Sequence, residues 1–120
     1  MIIKECPKSF DSCQSELEQR IKNAGLFIFT IIDHSKAAEE SSLHLDPTKV
    51  IVFGNPKVGT LLMLEKREIA YELPLRILIY SLQGKTYLAY KKPSDVGKEY
   101  GLSNDILRKM DELMEKLITF

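Results

Sequence analysis

The side chains best suited to chemistry near neutral pH are two groups of Asp and His. Asp33 and His34 follow an apolar run, and His44 and Asp46 lie in the polar stretch before Pro47. Histidine exchanges protons near neutrality, so Asp33 and His34 are the candidate reactive pair of an enzyme. Adjacent residues of an extended chain point to opposite faces, however, so Asp33 cannot orient His34 as in a catalytic triad. The alternative is structural: Asp33 caps the following turn and His34 hydrogen-bonds the backbone.

A metal site built from the same side chains is the next possibility. Two histidines with two carboxylates, from Asp33, His34, His44 and Asp46, are conceivable zinc ligands. Their spacing in the sequence matches no established zinc motif. We therefore predict no metal site, and the sequence leaves any cofactor unknown.

Two cysteines, Cys6 and Cys13, form neither a CxxC pair nor a usual zinc pattern. Cys13 falls near the predicted start of a helix, where the pKa of a thiol tends to fall. The simpler interpretation, which we favour, is that both are reduced and buried or incidental thiols.

The least generic stretch is Phe53–Thr60, FGNPKVGT, which we call the FGNPKVGT turn. It follows the β-branched run Val50–Val52 and is typical of a strand, a sharp turn and a helix. Gly54 permits backbone angles closed to other residues, Asn55 is a good helix N-cap, and Pro56 suits the first helical position.

A helix that starts at this turn would present free N–H groups and a partial positive charge to an anion. The candidate ligand-binding residues are Gly54, Asn55, Lys57, Gly59 and Thr60. The turn matches neither the Walker loop nor GxGxxG. The alternative is an ordinary capped helix whose glycines serve packing.

The elements that would position these residues alternate between strands and helices. Before the turn we predict a strand at 1–5, a helix capped by Asp11 and ended by Gly25, a strand at 26–32, a weak helix at 35–42 and a strand at 49–53. After the turn we predict a helix to about Tyr71, a hairpin of strands 75–82 and 86–90, a short helix from Ser94 to Gly101, and a final helix over about 103–118.

The final helix carries a stripe of Leu, Met and Ile at helical spacing, with its charges on the opposite side. Such a stripe is usually core, and the alternative is the seam of a dimer. The predicted class is α+β, in a single domain spanning residues 1–120.

Composition narrows the function classes. The chain has 120 residues with 17 basic and 17 acidic side chains, and the absence of a basic excess makes nucleic-acid binding unlikely. No apolar run approaches the ~20 residues that span a bilayer. Residues 1–7 lack the regions of a signal peptide, so we expect a cytoplasmic protein with no membrane partner.

Several of these motifs together resemble the "domain of unknown function 302" family of bacterial and archaeal proteins. The resemblance rests on Ile32-Asp33-His34 at a strand end, on Phe53-Gly54-Asn55-Pro56 with Gly59-Thr60 and Met63, and on Leu73-Pro74-Leu75-Arg76 with a strand that ends at Tyr90. It covers residues 10–102 and leaves the last helix unmatched. Where family members often carry a threonine, near the start of the first helix, this chain has Cys13.

The resemblance implies a small domain with a mainly antiparallel sheet packed by helices. This arrangement is of TATA-binding-protein-like type (β-α-β4-α), in one copy with additional helices, and it forms homodimers. No activity is established for the family, and the fold name is no evidence for DNA binding.

We expect a domain that binds a small molecule or anion near the FGNPKVGT turn as a dimer. The alternatives are an enzyme that uses Asp33 and His34, or a purely structural or interaction dimer. Whether His34 and Asn55 can share a site depends on the strands that precede them. Parallel strands would bring the two residues to one edge of the sheet, and antiparallel strands would separate them.

Overall fold

A computed structural model describes residues 1–120 as an α+β fold with one five-stranded sheet. The strands are β1 (Ile2–Cys6), β2 (Phe27–Asp33), β3 (Thr48–Gly54), β4 (Leu75–Leu82) and β5 (Lys85–Tyr90). The helices are α1 (Phe10–Asn23), α2 (His34–Glu40), α3 (Pro56–Glu65), α4 (Pro93–Glu99) and α5 (Asp105–Ile118), and a 3₁₀ helix (Arg67–Tyr71) lies between α3 and β4.

The strand order in the sheet is β1-β5-β4-β3-β2, and every neighbouring pair is antiparallel. The tight β4–β5 hairpin turns at Gln83 and Gly84, which both have positive φ. The predicted α+β class with a mainly antiparallel sheet is confirmed. The order β-α-β4-α is present, with α2, α3, α4 and the 3₁₀ helix as the additional helices.

The main core lies between one face of the sheet and the helices α1 and α5. Ile51, Phe53 and Ile77 from the central strands are fully buried there. They join a cluster that includes buried side chains from both helices, namely Cys13, Leu17, Ile21, Met114, Leu117 and Ile118. The apolar stripe of α5 is therefore core, and it no longer supports a dimer seam along that helix.

A second, smaller cluster fills the space beyond the end of the sheet at which β4 begins. Leu62 from α3, Ile69 from the 3₁₀ helix, and Leu107 and Met110 from α5 are buried together. A Cβ atom placed at Gly97 of α4 would overlap the Leu107 side chain. A glycine at this position thus permits the close approach of α4 to α5.

The opposite face of the sheet is covered by neither α1 nor α5. Alternation along the strands brings apolar side chains to it from all five, and Ile3, Phe27 and Ile32 remain 40–58% exposed. Tyr80 and Tyr87 stack across β4 and β5 with ring centroids 5.4 Å apart. We call this surface the open face; its members include Ile3, Glu5, Phe27, Thr30, Ile32, Thr48, Val50, Val52, Arg76, Leu78, Tyr80, Tyr87 and Ala89.

Two helix boundaries differ from the sequence prediction. The N-cap of α1 is Ser9, whose hydroxyl accepts a hydrogen bond from the Ser12 amide, rather than Asp11. The helix after the turn ends at Glu65 because Lys66 adopts an extended conformation. This break lets the 3₁₀ helix turn Ile69 into the second cluster. None of the helices combines the length and apolar character needed to cross a bilayer.

Candidate functional site

The two polar motifs lie at opposite ends of the sheet. In the antiparallel β2–β3 pair, Asp33 is opposite Lys49, near the start of β3, whereas Gly54 at the end of β3 is opposite Phe27. His34 and Asn55 are therefore separated by the length of these strands. A shared site that combines Asp33 and His34 with the FGNPKVGT turn is excluded by this geometry.

Asp33 serves as the N-cap of α2. Its carboxylate accepts hydrogen bonds from the Ser35 hydroxyl at 2.7 Å and from the Lys36 amide at 2.9 Å. The Lys49 ammonium lies 3.9 Å away. The Ser35 hydroxyl bond is the main cause, followed by the Lys36 amide, of a pKa of Asp33 below its ordinary value. These contacts confirm the capping interpretation for this residue.

Replacing Asp33 with asparagine is expected to flatten the acid end of the stability–pH profile. The folded-state pKa is lowered, so the carboxylate stabilises the fold above its unfolded pKa of ~3.9, and this stabilisation is lost as pH falls through the folded pKa. Asparagine keeps the cap but does not titrate. Urea unfolding of both proteins between about pH 6 and 2 measures how much their free energies of unfolding differ. This difference should become smaller below about pH 4.

The control for that experiment is Asp11→Asn, since Asp11 is an exposed residue in the first turn of α1. At neutral pH its free energy of unfolding should differ from that of the unmodified protein by less than that of Asp33→Asn does. A difference between the Asp33→Asn and unmodified proteins that stays constant with pH would contradict the assigned role of the Asp33 charge.

His34 and His44 do not converge on one site. The exposed His34 begins α2, while the His44 Nε2 lies 3.1 Å from the Asp46 Oδ1 in the loop before β3, where both side chains are exposed. Nowhere do three or more His, Cys, Asp or Glu side chains gather with the geometry of a metal site. Asp33 caps the helix that His34 begins, and His34 also lines the larger groove described below.

The FGNPKVGT turn adopts the predicted strand–turn–helix conformation. The Asn55 Oδ1 accepts a hydrogen bond from the Lys57 amide at 3.0 Å, and the Asn55 carbonyl accepts one from the Gly59 amide at 3.0 Å. Pro56 has no amide hydrogen, and the amides of Lys57 and Gly59 are both bonded to Asn55. In the first turn, only the Val58 amide therefore has no hydrogen-bond partner in the protein. Self-capping leaves this helix start with little capacity for an anion.

A cleft of about 220 Å³ opens beside this turn. Four of the five candidate ligand-binding residues line it, namely Gly54, Asn55, Gly59 and Thr60, and Lys57 does not. Its other walls are largely apolar and come from Phe29, Pro56, Met63, Leu73, Pro74, Leu75 and Met110. The Thr60 hydroxyl already donates to the Pro56 carbonyl at 2.7 Å. The cleft therefore suits a small, mainly apolar molecule better than a free anion.

The segment Leu73–Leu75 packs directly against the turn. A Cβ added to Gly54 would lie 3.6 Å from the Pro74 Cβ, and one added to Gly59 would lie 3.8 Å from the Leu73 Cδ1. These are ordinary contacts, so alanine fits at both positions. Glycine inside a helix costs ~0.5–1 kcal/mol of stability relative to alanine. Since alanine would fit at position 59 and stabilise the helix, packing does not require the glycine there. Its absent side chain instead leaves the cleft open.

A larger groove of about 660 Å³ starts at the end of the sheet at which the central strand β4 begins. Its inner end lies between the 3₁₀ helix and α4 over Met110 and Met114, and its outer end reaches the open face at Leu78. Arg76, Lys91 and the predicted reactive residue His34 line it. Arg76 belongs to the Leu73–Arg76 motif of the family resemblance, but neither Arg76 nor Lys91 was predicted as a site residue. These segments are distant in the chain, so no single local motif marks the whole groove.

The cysteines lie in the core and not at either opening. Cys6 is 2% exposed and Cys13 is fully buried. Burial is the main cause of a raised pKa of the Cys13 thiol, and a hydrogen bond with Cys6 adds to the effect. The suggestion of a lowered thiol pKa near the start of α1 is wrong, and the interpretation as buried thiols is confirmed.

Comparison with known families gives one match over nearly the whole chain. Residues 2–117 match the family described as "Domain of unknown function DUF302". The match includes β1 and nearly all of α5, beyond the residues 10–102 that carry the sequence motifs. The fold is also that of a solved structure, the "uncharacterized conserved protein DUF302 from Bacillus stearothermophilus". The TM-score is 0.88 at 16% identity, over 98% of this chain and 94% of that one.

Three curated proteins of Brucella share a segment with this chain. "Fluoride-specific ion channel FluC 1" of Brucella suis biovar 1 (strain 1330) is 40% identical over 93 residues, which are 75% of this chain and 37% of that protein. Matches of the same identity and length cover 34% of FluC 1 of Brucella abortus biovar 1 (strain 9-941) and of FluC 2 of Brucella melitensis biotype 1 (strain ATCC 23456 / CCUG 17765 / NCTC 10094 / 16M). The chain spans about a third of the length of these relatives.

Proposed function

This chain belongs to the DUF302 family, whose description assigns no activity, and we propose that it binds a small, mainly apolar molecule in the cleft beside the FGNPKVGT turn. The observation that carries the proposal is the convergence of Gly54, Asn55, Gly59 and Thr60 on one cleft of about 220 Å³. Concave, mostly apolar sites with a few fixed polar groups are typical of small-molecule binding.

The polar groups of the cleft favour a neutral ligand over an anion. The Asn55 side chain and the Thr60 hydroxyl are already engaged with the backbone of α3. The Lys57 side chain lies outside the lining. Apolar contact with Phe29 and Met63 would therefore supply most of the binding free energy.

Filling the cleft from Gly59 tests the proposal. Two-dimensional NMR would follow the amide signals of Gly54–Thr60 during titration with benzyl alcohol as a neutral apolar probe and with phosphate as an anion. We expect benzyl alcohol to shift these signals and phosphate to leave them in place. Gly59→Leu, whose side chain would occupy the cleft, should abolish the shifts.

The matched control is Leu64→Ala, on the same helix, because Leu64 is 73% exposed and does not line the cleft. This variant should bind as the unmodified protein does. Unmoved signals with benzyl alcohol, or equal binding by Gly59→Leu, would overturn the proposal. A circular dichroism melt of each variant confirms that it is folded.

A homodimer that forms through the open face is part of the same proposal. Apolar side chains such as Phe27 and Ile32 are exposed there. The Phe27 ring contacts Phe29, which lines the cleft, with ring centroids 4.9 Å apart. Five strands that are ~4.8 Å apart and six residues long have a flat area of roughly 500 Å². Protruding side chains add accessible area to this value, which brings it towards the ~800 Å² that each partner buries in a standard interface. Sedimentation should give a dimer at micromolar concentration and a monomer for Ile32→Lys. A monomeric unmodified protein removes the dimer.

A second candidate function is an accessory role beside fluoride transport. It is supported by two proteins named as fluoride-specific ion channels: this chain is 40% identical to a segment that makes up about a third of the length of each. Deleting the gene for this chain from its host should lower growth at rising fluoride concentration. Unchanged fluoride tolerance in the deletion strain would remove this candidate.

A further inference from the structure

The larger groove at the end of the sheet where β4 begins has the properties of a second binding site, which shares Leu73, Leu75 and Met110 with the cleft beside the FGNPKVGT turn. Its volume of about 660 Å³ lies within the ~300–1,000 Å³ range of ligand pockets. Thirteen of its 18 lining residues are hydrophobic, so most of a ligand in it would contact apolar side chains.

The charged residues of the groove are not balanced within the protein. Arg76 lies on the central strand β4, between the apolar neighbours Val52 on β3 and Leu78 two residues on. Neither Arg76 nor Lys91 forms an ion pair or a side-chain hydrogen bond, and both line the groove. Continuing the β4–β5 register past Leu78 and Ala89 places these two cations opposite each other on one face.

Glu72 is the one carboxylate that lines the groove, and it faces a different partner. It accepts a hydrogen bond from the Tyr100 hydroxyl at 2.9 Å, which is the main cause of a raised pKa of Tyr100. It makes no ion pair with Arg76 or Lys91. The groove is therefore lined by the cations Arg76 and Lys91, by His34, and by one carboxylate that is already engaged, which gives a net positive charge.

We propose that this groove binds an organic anion with an apolar chain, such as a medium-chain carboxylate. The carboxylate lies at Arg76 and Lys91, and the chain extends between the 3₁₀ helix and α4 towards Met110 and Met114. A guanidinium suits this role because its donors match both oxygens of a carboxylate. Burial of each methylene adds apolar contact that water cannot supply.

Calorimetric titration with octanoate tests the proposal. We expect saturable binding of octanoate that weakens about ten-fold or more in Arg76→Gln and in Lys91→Gln, since a hydrogen bond to a charged group is lost in each. Lys92→Gln is the matched control, because Lys92 is the neighbouring lysine and does not line the groove. It should bind octanoate as the unmodified protein does.

Two further measurements separate the charge from the apolar chain. Octanol has the same chain without the carboxylate, so it should bind more weakly and be insensitive to Arg76→Gln. Val96→Phe would narrow the groove from α4 without changing any charge, and it should reduce octanoate binding. Raising the salt concentration should weaken octanoate more than octanol.

The proposal is overturned if octanoate fails to bind at millimolar concentration or if Arg76→Gln leaves its affinity unchanged. A dimer through the open face would cover Arg76 and Leu78, so octanoate should compete with it. Octanoate that binds monomer and dimer with the same affinity therefore also overturns the proposal. Arg76 does not line the cleft, so Arg76→Gln should leave the shifts caused by benzyl alcohol intact, and failure at the cleft and failure at the groove are distinguishable.

Discussion

Phe53→Ala is expected to lower the free energy of unfolding by about 3–5 kcal/mol, which is a large part of the stability of a domain of this size. Phe53 ends the apolar run of β3 and is fully buried in the main core. Removing its ring deletes apolar contacts and leaves a cavity that the surrounding strands and helices fill only in part. Urea denaturation followed by circular dichroism measures the change.

The control is Leu64→Ala, because Leu64 has the exposed side chain already described on α3. It should change the free energy of unfolding by less than about 0.5 kcal/mol. A loss below about 1 kcal/mol for Phe53→Ala would show that the ring is not held in the core as described. Because Phe53 directly precedes Gly54, the same variant should also broaden the amide signals of the FGNPKVGT turn.

Both cysteines are expected to resist alkylation in the folded protein by orders of magnitude relative to the unfolded chain. The thiolate is the reactive form, and the raised pKa of Cys13 keeps that thiol protonated at pH 8. Burial of Cys6 and Cys13 also excludes the reagent. Iodoacetamide labelling with and without urea, read by mass spectrometry, gives the two rates.

An exposed thiol introduced at Leu64 is the control for this measurement. The Leu64→Cys protein should gain one rapidly labelled site while its two native thiols stay protected. Rapid labelling of the unmodified folded protein would contradict the buried position of Cys6 and Cys13. The same result would restore the suggestion of a lowered thiol pKa near the start of α1.

Local patterns predicted most of the elements because their causes are local. Gly25 has positive φ after α1, as its residue type suggested, and Asn104 caps α5. Tyr90 enters the core while Tyr87 lies on the open face, as strand alternation requires. Boundaries failed where two residues competed, as at the start of α1, where Ser9 rather than Asp11 accepts the capping bond.

The relation between the two polar motifs was not predictable in the same way. The run between β2 and β3 is long enough for either a parallel or an antiparallel pairing, so only the assembled sheet separates His34 from Asn55. The FGNPKVGT turn was identified because its chemistry is contiguous. The groove at Arg76 was not, because its walls come from the 3₁₀ helix, α4, α5 and the sheet.

The pairing of the first strand with the last has a consequence for folding during synthesis. Ile2 pairs with Tyr90, so β1 has no partner until the roughly 90 residues from Ile2 to Tyr90 have been synthesised. At ~5–20 residues per second this delay is roughly 5–20 s. The apolar side of α1 waits even longer for α5 to cover it. The partly synthesised chain would therefore expose Leu17 and Ile21 to chaperones before the sheet is complete.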